Sequence, residues 1–484
     1  MSTIRSAQSA SADSIQAAVI NLIQRARLAQ ERIAAWNQEQ VNLMVSSVAW
    51  AILEPSRNRL LAELAVRDSG LGNPEDKFKK NFRKTLGLIR DLKHARSVGV
   101  LREDRERGIT EIARPVGVVA AVTPSTNPGA TPINKILNAL KCRNAIVLAP
   151  SPKGASTCAR LLEFVHLQLD EVNAPRDLVQ MLPTPISKEA THALMQQADL
   201  VVATGSQANI RAAYASGTPA FGVGLGNAAV IIDEYADCDA AAEKIARSKI
   251  FDNATSCSSE NGLVILSSAY SSMMRALESQ GGVLLTPVDQ ERLQSFMFPN
   301  GRLGSAATAQ SAPAIARRAQ LETPGAASAR FLMVCPESAG PDHPFSGEKL
   351  SPVLAIWQVP DFDAAVRMVC SIYRYQGAGH SVGLHTASGG EVMESRARQL
   401  AEQTPVSRVI VNQAHAIATG GSFDNGLPFS LSMGCGTWGG NNFSENLSYR
   451  QYMNITRIAR LIPEQIPSVE DLLDDYFQRV GVLR

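Results

Sequence analysis

PVGVVAAVTPSTNPGATPINKILNALKCRNAIVLAP, residues 115–150, carries the signature of the architecture. Residues 116–122 are an apolar run of strand length, rich in valine. A polar turn with two prolines follows, and then residues 132–141 place apolar side chains at helical spacing. Residues 145–148 are a second apolar run. The rhythm continues through a helix at 153–169 and strands at 179–182, 200–203 and 228–232. Strands alternating with amphipathic helices predict a parallel sheet covered by helices.

A second α/β stretch begins near Asp233, with a helix at 240–250, a strand at 263–266, a helix at 271–279 and a strand at 283–287. Residues 299–328, rich in Ala, Gly and Ser, read as a long surface excursion. Regular elements resume at 331–334, at 353–358 and in a helix near 363–370. The first hundred residues read as helices, with Leu22, Ile23, Leu28 and Ile33, then Leu43, Val48 and Ile52, at helical intervals. The loop-rich segment 412–446 is a natural place for substrate contacts over a rigid frame. The simplest architecture is α/β, with two Rossmann-like parallel-sheet halves and a cleft between them. No repeat at a solenoid period is visible.

At 484 residues, ~100–200 per domain allows two to four units. A net charge of +2 argues against nucleic acid or an anionic membrane as partner. The cluster Lys77, Lys79, Lys80, Arg83, Lys84 reads as a solvated helix face rather than an anion patch. Seven scattered cysteines are not a disulfide framework and suit a reducing cytoplasm. The N-terminal residues lack the apolar core of a signal peptide, and the longest apolar stretches fall short of the ~20 residues that span a bilayer. No cysteine or histidine spacing offers a metal site, so none is expected.

Cys257 lies in DNATSCSSEN, residues 252–261, where small neighbours leave a sulfur reachable. A thiolate there would form thioesters readily. The alternative is a buried, inert thiol, the reading given to Cys142, Cys158, Cys335 and Cys370. Asn127 could donate to a developing oxyanion; on spacing alone it simply caps the turn before Pro128. ADLVVATGSQANIRAAY, residues 198–214, is strand, turn and helix. Gly205 permits the turn and Ser206 caps the helix, which suits a pyrophosphate or an ordinary capped turn equally. The literal GxGxxG of Gly434, Gly436 and Gly439 follows no strand and is rejected as a nucleotide fingerprint.

Taken in order, GNPEDKFKKN, PVGVVAAVTPSTNP, TGSQANI, GVGLGNAAVIID, KIFDNATSCSSEN, EKLSPVL, GHSVGLHT and GCGTWGGNNFSEN cover nearly the whole chain. Together they resemble the aldehyde dehydrogenase superfamily, and within it the CoA-acylating branch. The resemblance implies that Cys257 is the nucleophile. Asn127 and the Cys257 backbone N–H would then hold the oxyanion, and Glu348 the nicotinamide ribose. Gly205, Ser206, Thr123, Pro124, Pro150, Lys153 and Gly224 would lie along the cofactor. It implies a cofactor-binding domain at 1–230, with an oligomerisation arm at 97–112. A catalytic domain at 231–425 and a C-terminal segment at 426–484 returning to the arm would complete a homodimer or homotetramer.

The departures matter as much. Hydrolytic relatives carry a general-base glutamate where this chain has Gly224, and glycine cannot activate water. A thioester would then wait for the thiol of coenzyme A. Hydrolytic relatives also place a lysine and a glutamate on the adenosine ribose, where this chain has Ala149 and Pro152. NADP or NAD is therefore expected, with a lean toward NADP. Ser125, Thr126, Ser256, Ser258, Thr419 and Gly420 would make a small polar pocket for an aldehyde with an anionic head. The overall run is most similar to members acting on sulfoacetaldehyde; acetaldehyde and succinate semialdehyde are alternatives. His380 could help deprotonate CoA, though a structural role is preferred. Glu260 reads as a hydrogen-bonding neighbour of the thiol rather than a base. The rivals are a hydrolytic enzyme using a carboxylate such as Glu260, an inactive scaffold, and a cysteine hydrolase. The last needs a histidine beside the thiol, which no neighbouring motif supplies.

Overall fold

The computed structural model describes residues 2–223 and 225–481, with side chains from Ser14 onward. Four helices lead: Ser2–Ile33, Gln38–Leu53, Pro55–Ser69 and Pro74–Lys93. Their starts follow from capping chemistry. Asn37 and Gln40 form a capping box, and Pro55 and Pro74 stand in first turns, where no N–H is needed. Among the described residues no helix is long and apolar enough to cross a membrane.

The strands form three sheets among the described residues. The first has five parallel strands in the order Val179–Met181, Ala145–Pro150, Val118–Thr123, Leu200–Thr204, Ala220–Val223. Its middle strand, Val118–Thr123, is buried at every residue, as helices on both faces require. The second has seven parallel strands: Gly282–Leu284, Phe331–Val334, Val353–Val359, Glu260–Leu266, Ala228–Ile232, Val382–His385, Val409–Val411. The third is an antiparallel ribbon of Gly99–Asp104, Ile109–Pro115 and Met453–Ala459. The expected α/β architecture with two parallel sheets is therefore present.

Two expectations fail. The strand at 283–287 stops at Leu284, because Pro287 opens the helix Pro287–Met297. Residues 299–328 are not a surface excursion. Ala307, Ala312, Ile315, Ala316 and Ala326 are buried in the core of the second sheet. Alanine there serves close packing rather than exposure.

Two features of the topology position a site. In the first sheet the chain runs outward from Val118–Thr123 on one side and then returns to its other side at Leu200–Thr204. That reversal opens a crevice at the carboxyl ends of these two strands, where ligands of open α/β sheets bind. In the second sheet the register sets Ala228 opposite Glu260, and Val382 opposite Ala229. The amino ends of neighbouring strands are thus level.

Asn144 ties the ribbon's neighbourhood to the first sheet. Its Oδ1 accepts from the backbone N–H groups of Val116 (2.8 Å) and Gly117 (3.1 Å), and its Nδ2 donates to the Tyr452 carbonyl at 2.7 Å. Asn144→Ala leaves three backbone groups without that partner and should cost about 2–4 kcal/mol. The measurement is the urea midpoint at unchanged slope; a loss under about 0.5 kcal/mol would refute the assignment.

Candidate active site

Cys257 precedes the strand Glu260–Leu266, Gly226 precedes Ala228–Ile232, Glu348 precedes Val353–Val359, and His380 precedes Val382–His385. These strands are neighbours with level amino ends, so four distant segments converge. The Cys257 sulfur lies 3.5 Å from His380 Nε2. His380 Nδ1 is 2.7 Å from Ser381 Oγ, and the His380 carbonyl accepts from Arg408 Nη1 at 3.1 Å. Burial, and then Arg408, push this imidazole down to about 3. Burial, and then Glu348, push the Cys257 thiol up to about 12. The resting pair is a thiol facing a neutral imidazole. Glu348 Oε1 accepts from the Gly226 N–H at 3.1 Å, and burial pushes its carboxyl up to about 8. A Cβ on Gly226 would stand 2.2 Å from the Cys257 carbonyl, so only glycine permits this approach. The sequence singled out His380 but not its place beside the thiol. With a serine rather than a carboxylate on Nδ1, it lacks the orienting acid of a hydrolase triad.

The turn before Cys257 is unusual. Asp252, Asn253 and Ala254 all have positive φ, at 52°, 52° and 58°. Such a conformation costs about 1–2 kcal/mol per residue without glycine. It is held from outside by the motif GNPEDKFKKN. Asp252 Oδ2 accepts from Lys80 Nζ at 2.6 Å, from Thr255 Oγ1 at 2.6 Å and from Lys77 Nζ at 3.0 Å. Its Oδ1 accepts from the Asn73 N–H at 3.1 Å, and its own N–H donates to Asp76 Oδ2 at 2.8 Å. The two lysines hold the carboxyl below its usual range despite burial.

The lysine cluster is therefore not the solvated face the sequence suggested. Lys77, Lys80 and Lys84 are buried, and only Lys79 of the four lysines is exposed. The periodicity held the clue: 77, 80 and 84 are in phase with buried Leu88 on the same helix. Lys84 Nζ donates to the carbonyls of Gly420 (2.9 Å) and Gly421 (3.0 Å). Burial, and then Arg83, push it down to about 7.

Two cavities meet at Asn127, Ser256 and Leu431. One, of about 420 Å³, lies in the crevice of the first sheet. Thr123, Pro124, Ser125, Thr126, Gly205 and Ser206 line it, together with Cys257 and Glu348. Ser206 caps the helix Gln207–Tyr214 by accepting from the Asn209 N–H at 3.3 Å. Pro150 and Lys153 stand off this cavity; Lys153 points to solvent. Gly224 lies outside the described residues. The other cavity, of about 530 Å³, carries Lys79, Lys80, Arg83, Lys84 and Arg247 against one acid, Asp424.

Ser258, Thr419 and Gly420 line neither cavity. Ser258 is buried with its hydroxyl 2.8 Å from Ser256 Oγ, and Thr419 donates to the His415 carbonyl at 2.7 Å. Glu260 is buried, accepting from Ser248 Oγ and the His415 N–H. Of the cysteines read as inert, Cys142 and Cys158 are buried, but Cys335 is exposed and Cys370 half-buried. Cys335 follows the last residue of Phe331–Val334 and emerges at the sheet's edge.

A model of the aldehyde dehydrogenase family matches residues 2–327. The chain is 60% identical to the acylating sulfoacetaldehyde dehydrogenase of Cupriavidus necator, over 96% of this chain and 93% of that protein. It is 38% identical to the acylating sulfoacetaldehyde dehydrogenase of Bilophila wadsworthia, covering 94% and 98%. An acetylating aldehyde dehydrogenase from Geobacillus thermoglucosidasius superposes with a TM-score of 0.89 at 33% identity, covering 94% and 99%. The chain belongs to the aldehyde dehydrogenase family and is an oxidoreductase.

A thiol raised to about 12 is almost wholly protonated at neutral pH. Iodoacetamide labelling of Cys257 in the protein alone should therefore accelerate steadily between about pH 7 and 10. A plateau near about pH 8 would show instead a thiolate already stabilised by its surroundings.

Proposed function

We propose that this enzyme oxidises an aldehyde through a thioester on Cys257 and transfers the acyl group to coenzyme A. The observation that carries this is Cys257 in the wall of the crevice cavity, next in sequence to the Ser256 that both cavities share, with a neutral imidazole at its sulfur and no carboxylate free to activate water among the described residues there. Glu348 is held by Gly226, Glu260 by Ser248 and His415, and position 224 is glycine.

The crevice of the first sheet suits a nicotinamide dinucleotide, NADP or NAD. Thr123 Oγ1 is buried there without a hydrogen-bond partner, and Thr204, Gly205, Ser206 and Asn209 offer further donors. Glu348 faces the same space. When bound, the cofactor supplies the hydride acceptor. The chain's own residues do the rest. His380 Nε2 takes the thiol proton as the sulfur attacks. The Asn127 amide and the Cys257 N–H hold the oxyanion that results. Collapse of that oxyanion would break the former aldehyde C–H bond, its hydride going to the acceptor, and so leave the acyl group on sulfur. The CoA thiol, a few per cent ionised at neutral pH, then attacks it.

The cavity bearing Arg83 and Arg247 favours an aldehyde with an anionic head. Arg83 donates to Ser422 Oγ at 2.6 Å, but its Nε has no partner. Sulfoacetaldehyde is the preferred substrate on this reading, in keeping with the relatives from Cupriavidus necator and Bilophila wadsworthia. We also place the enzyme in the cytoplasm, where its free cysteines stay reduced. We read it as a homodimer or homotetramer. The helix Val469–Val480 buries none of its residues and exposes Leu472 and Tyr476.

With purified enzyme, sulfoacetaldehyde and NADP or NAD, reduced cofactor should accumulate steadily only when CoA is present, with sulfoacetyl-CoA found by mass spectrometry. Free sulfoacetate formed at the same rate without CoA would sink the acylating reading. Arg83→Ala should raise KM for sulfoacetaldehyde about 10–100-fold while leaving acetaldehyde turnover nearly unchanged. Equal losses on both would remove the anionic-head argument.

A further inference from the structure

Asn127 offers an amide whose two ends do opposite things: the oxygen only accepts and the nitrogen only donates. An oxyanion needs the nitrogen. What determines which end faces the cleft is therefore a question of mechanism. Lys80 Nζ stands 2.9 Å from Asn127 Oδ1. An ammonium has no lone pair, so the atom facing it must be the amide oxygen. The nitrogen is left facing the other way, with one long contact of 3.4 Å to Thr126 Oγ1. Asn127 is half-buried and lines both cavities, one of which Cys257 also lines.

The same ammonium holds the nucleophile's side of the site. Its other donors go to Asp252 Oδ2 at 2.6 Å and Thr255 Oγ1 at 3.0 Å. Thr255 itself donates to Asp252 Oδ2 at 2.6 Å, two residues before Cys257. With three acceptors Lys80 has no N–H left for a substrate. It is not an anion receptor, although it sits in the wall of the cationic cavity.

We propose that Lys80 is a positioning residue that aligns the two halves of the oxyanion site. It fixes the orientation of the Asn127 amide and, through Asp252 and Thr255, the turn that carries the Cys257 N–H. The positive charge on the amide oxygen also polarises the N–H bonds on the far side, which strengthens them as donors when negative charge develops. Lys77 shares Asp252 but touches only the Thr126 carbonyl on the other side, so it steadies the turn without orienting the amide.

The proposal rests on the oxyanion role given to Asn127 above. It is tested by a double-mutant cycle of Lys80→Met and Asn127→Ala, read as steady-state kcat and KM in the full-length enzyme with CoA present. Asn127→Ala should lower kcat about 10²–10³-fold. Lys80→Met should lower it about a hundredfold with KM nearly unchanged. The double variant should lose less than the product of the two single losses, because the part of the Lys80→Met loss that runs through the amide vanishes once the amide is gone. Lys80→Gln keeps an N–H for the Asn127 oxygen and should recover about tenfold of the Lys80→Met loss. If Lys80→Met does not fold, the same cycle is run with Lys80→Gln.

Full kcat in Asn127→Ala would overturn the oxyanion reading and this proposal with it. A large loss in Asn127→Ala with multiplicative losses in the double variant would overturn this proposal alone and leave Lys80 a structural cation. A loss in Lys80→Met carried by KM rather than kcat would likewise overturn it.

Discussion

Parallel strands in fixed register are the constraint on which this site depends. A parallel sheet brings the starts of its strands to one edge, whatever the length of chain between them. Here that edge collects Gly226, Cys257, Glu348 and His380 from four neighbouring strands. The carboxyl edge of the first sheet supplies Thr123 to Asn127 and Thr204 to Ser206 across the gap. The Cys257 sulfur thus sits where the front of one sheet meets the back of the other. The loops are free to differ in length because they have only to begin and end at the right strands.

Burying Asp252 would be costly on its own, since an unpaired carboxylate in a dry interior is strongly disfavoured. Two lysines, a threonine hydroxyl and the Asn73 N–H satisfy it. The result is an anchor that tolerates three successive left-handed residues just before Cys257. Close contact sets its dimensions: a Cβ on Gly72 would fall 1.8 Å from Asp252 Oδ1. The helical N-terminal region is thus part of the chemistry's support, although none of its residues is expected to react.

Much of the fold was legible because its signals are local. Apolar runs and helical periods marked most of the strands and helices between residues 116 and 370, but not Ala220–Val223, Pro287–Met297 or Ala312–Arg318. Errors came where local texture and tertiary role diverge. The alanine-rich stretch after residue 299 looked like loop because small residues suit both turns and tight packing. The lysines of GNPEDKFKKN looked solvated because charge usually is; only their phase with Leu88 hinted at burial. The contact between Cys257 and His380 was out of reach for another reason. It depends on which strands are neighbours, and 123 residues of separation carry no record of that. The family resemblance pointed to Cys257, Asn127 and Glu348, and the structure brings these to one junction. Of the two loop residues expected in the pocket, Gly420 instead offers its carbonyl to Lys84, and Thr419 bonds back to His415.

The two cavities share Asn127, Ser256 and Leu431 but otherwise have separate walls. One is polar, lined by hydroxyls and backbone turns of the first sheet; the other is cationic and aromatic, lined largely by the fourth helix and the turn at Ser422–Asp424. A separation of this kind makes the enzyme modular. On the proposed reading, residues that choose the molecule to be oxidised are distinct from those that meet the electron carrier. Sequence drift on one side can therefore change diet while the redox partner stays the same.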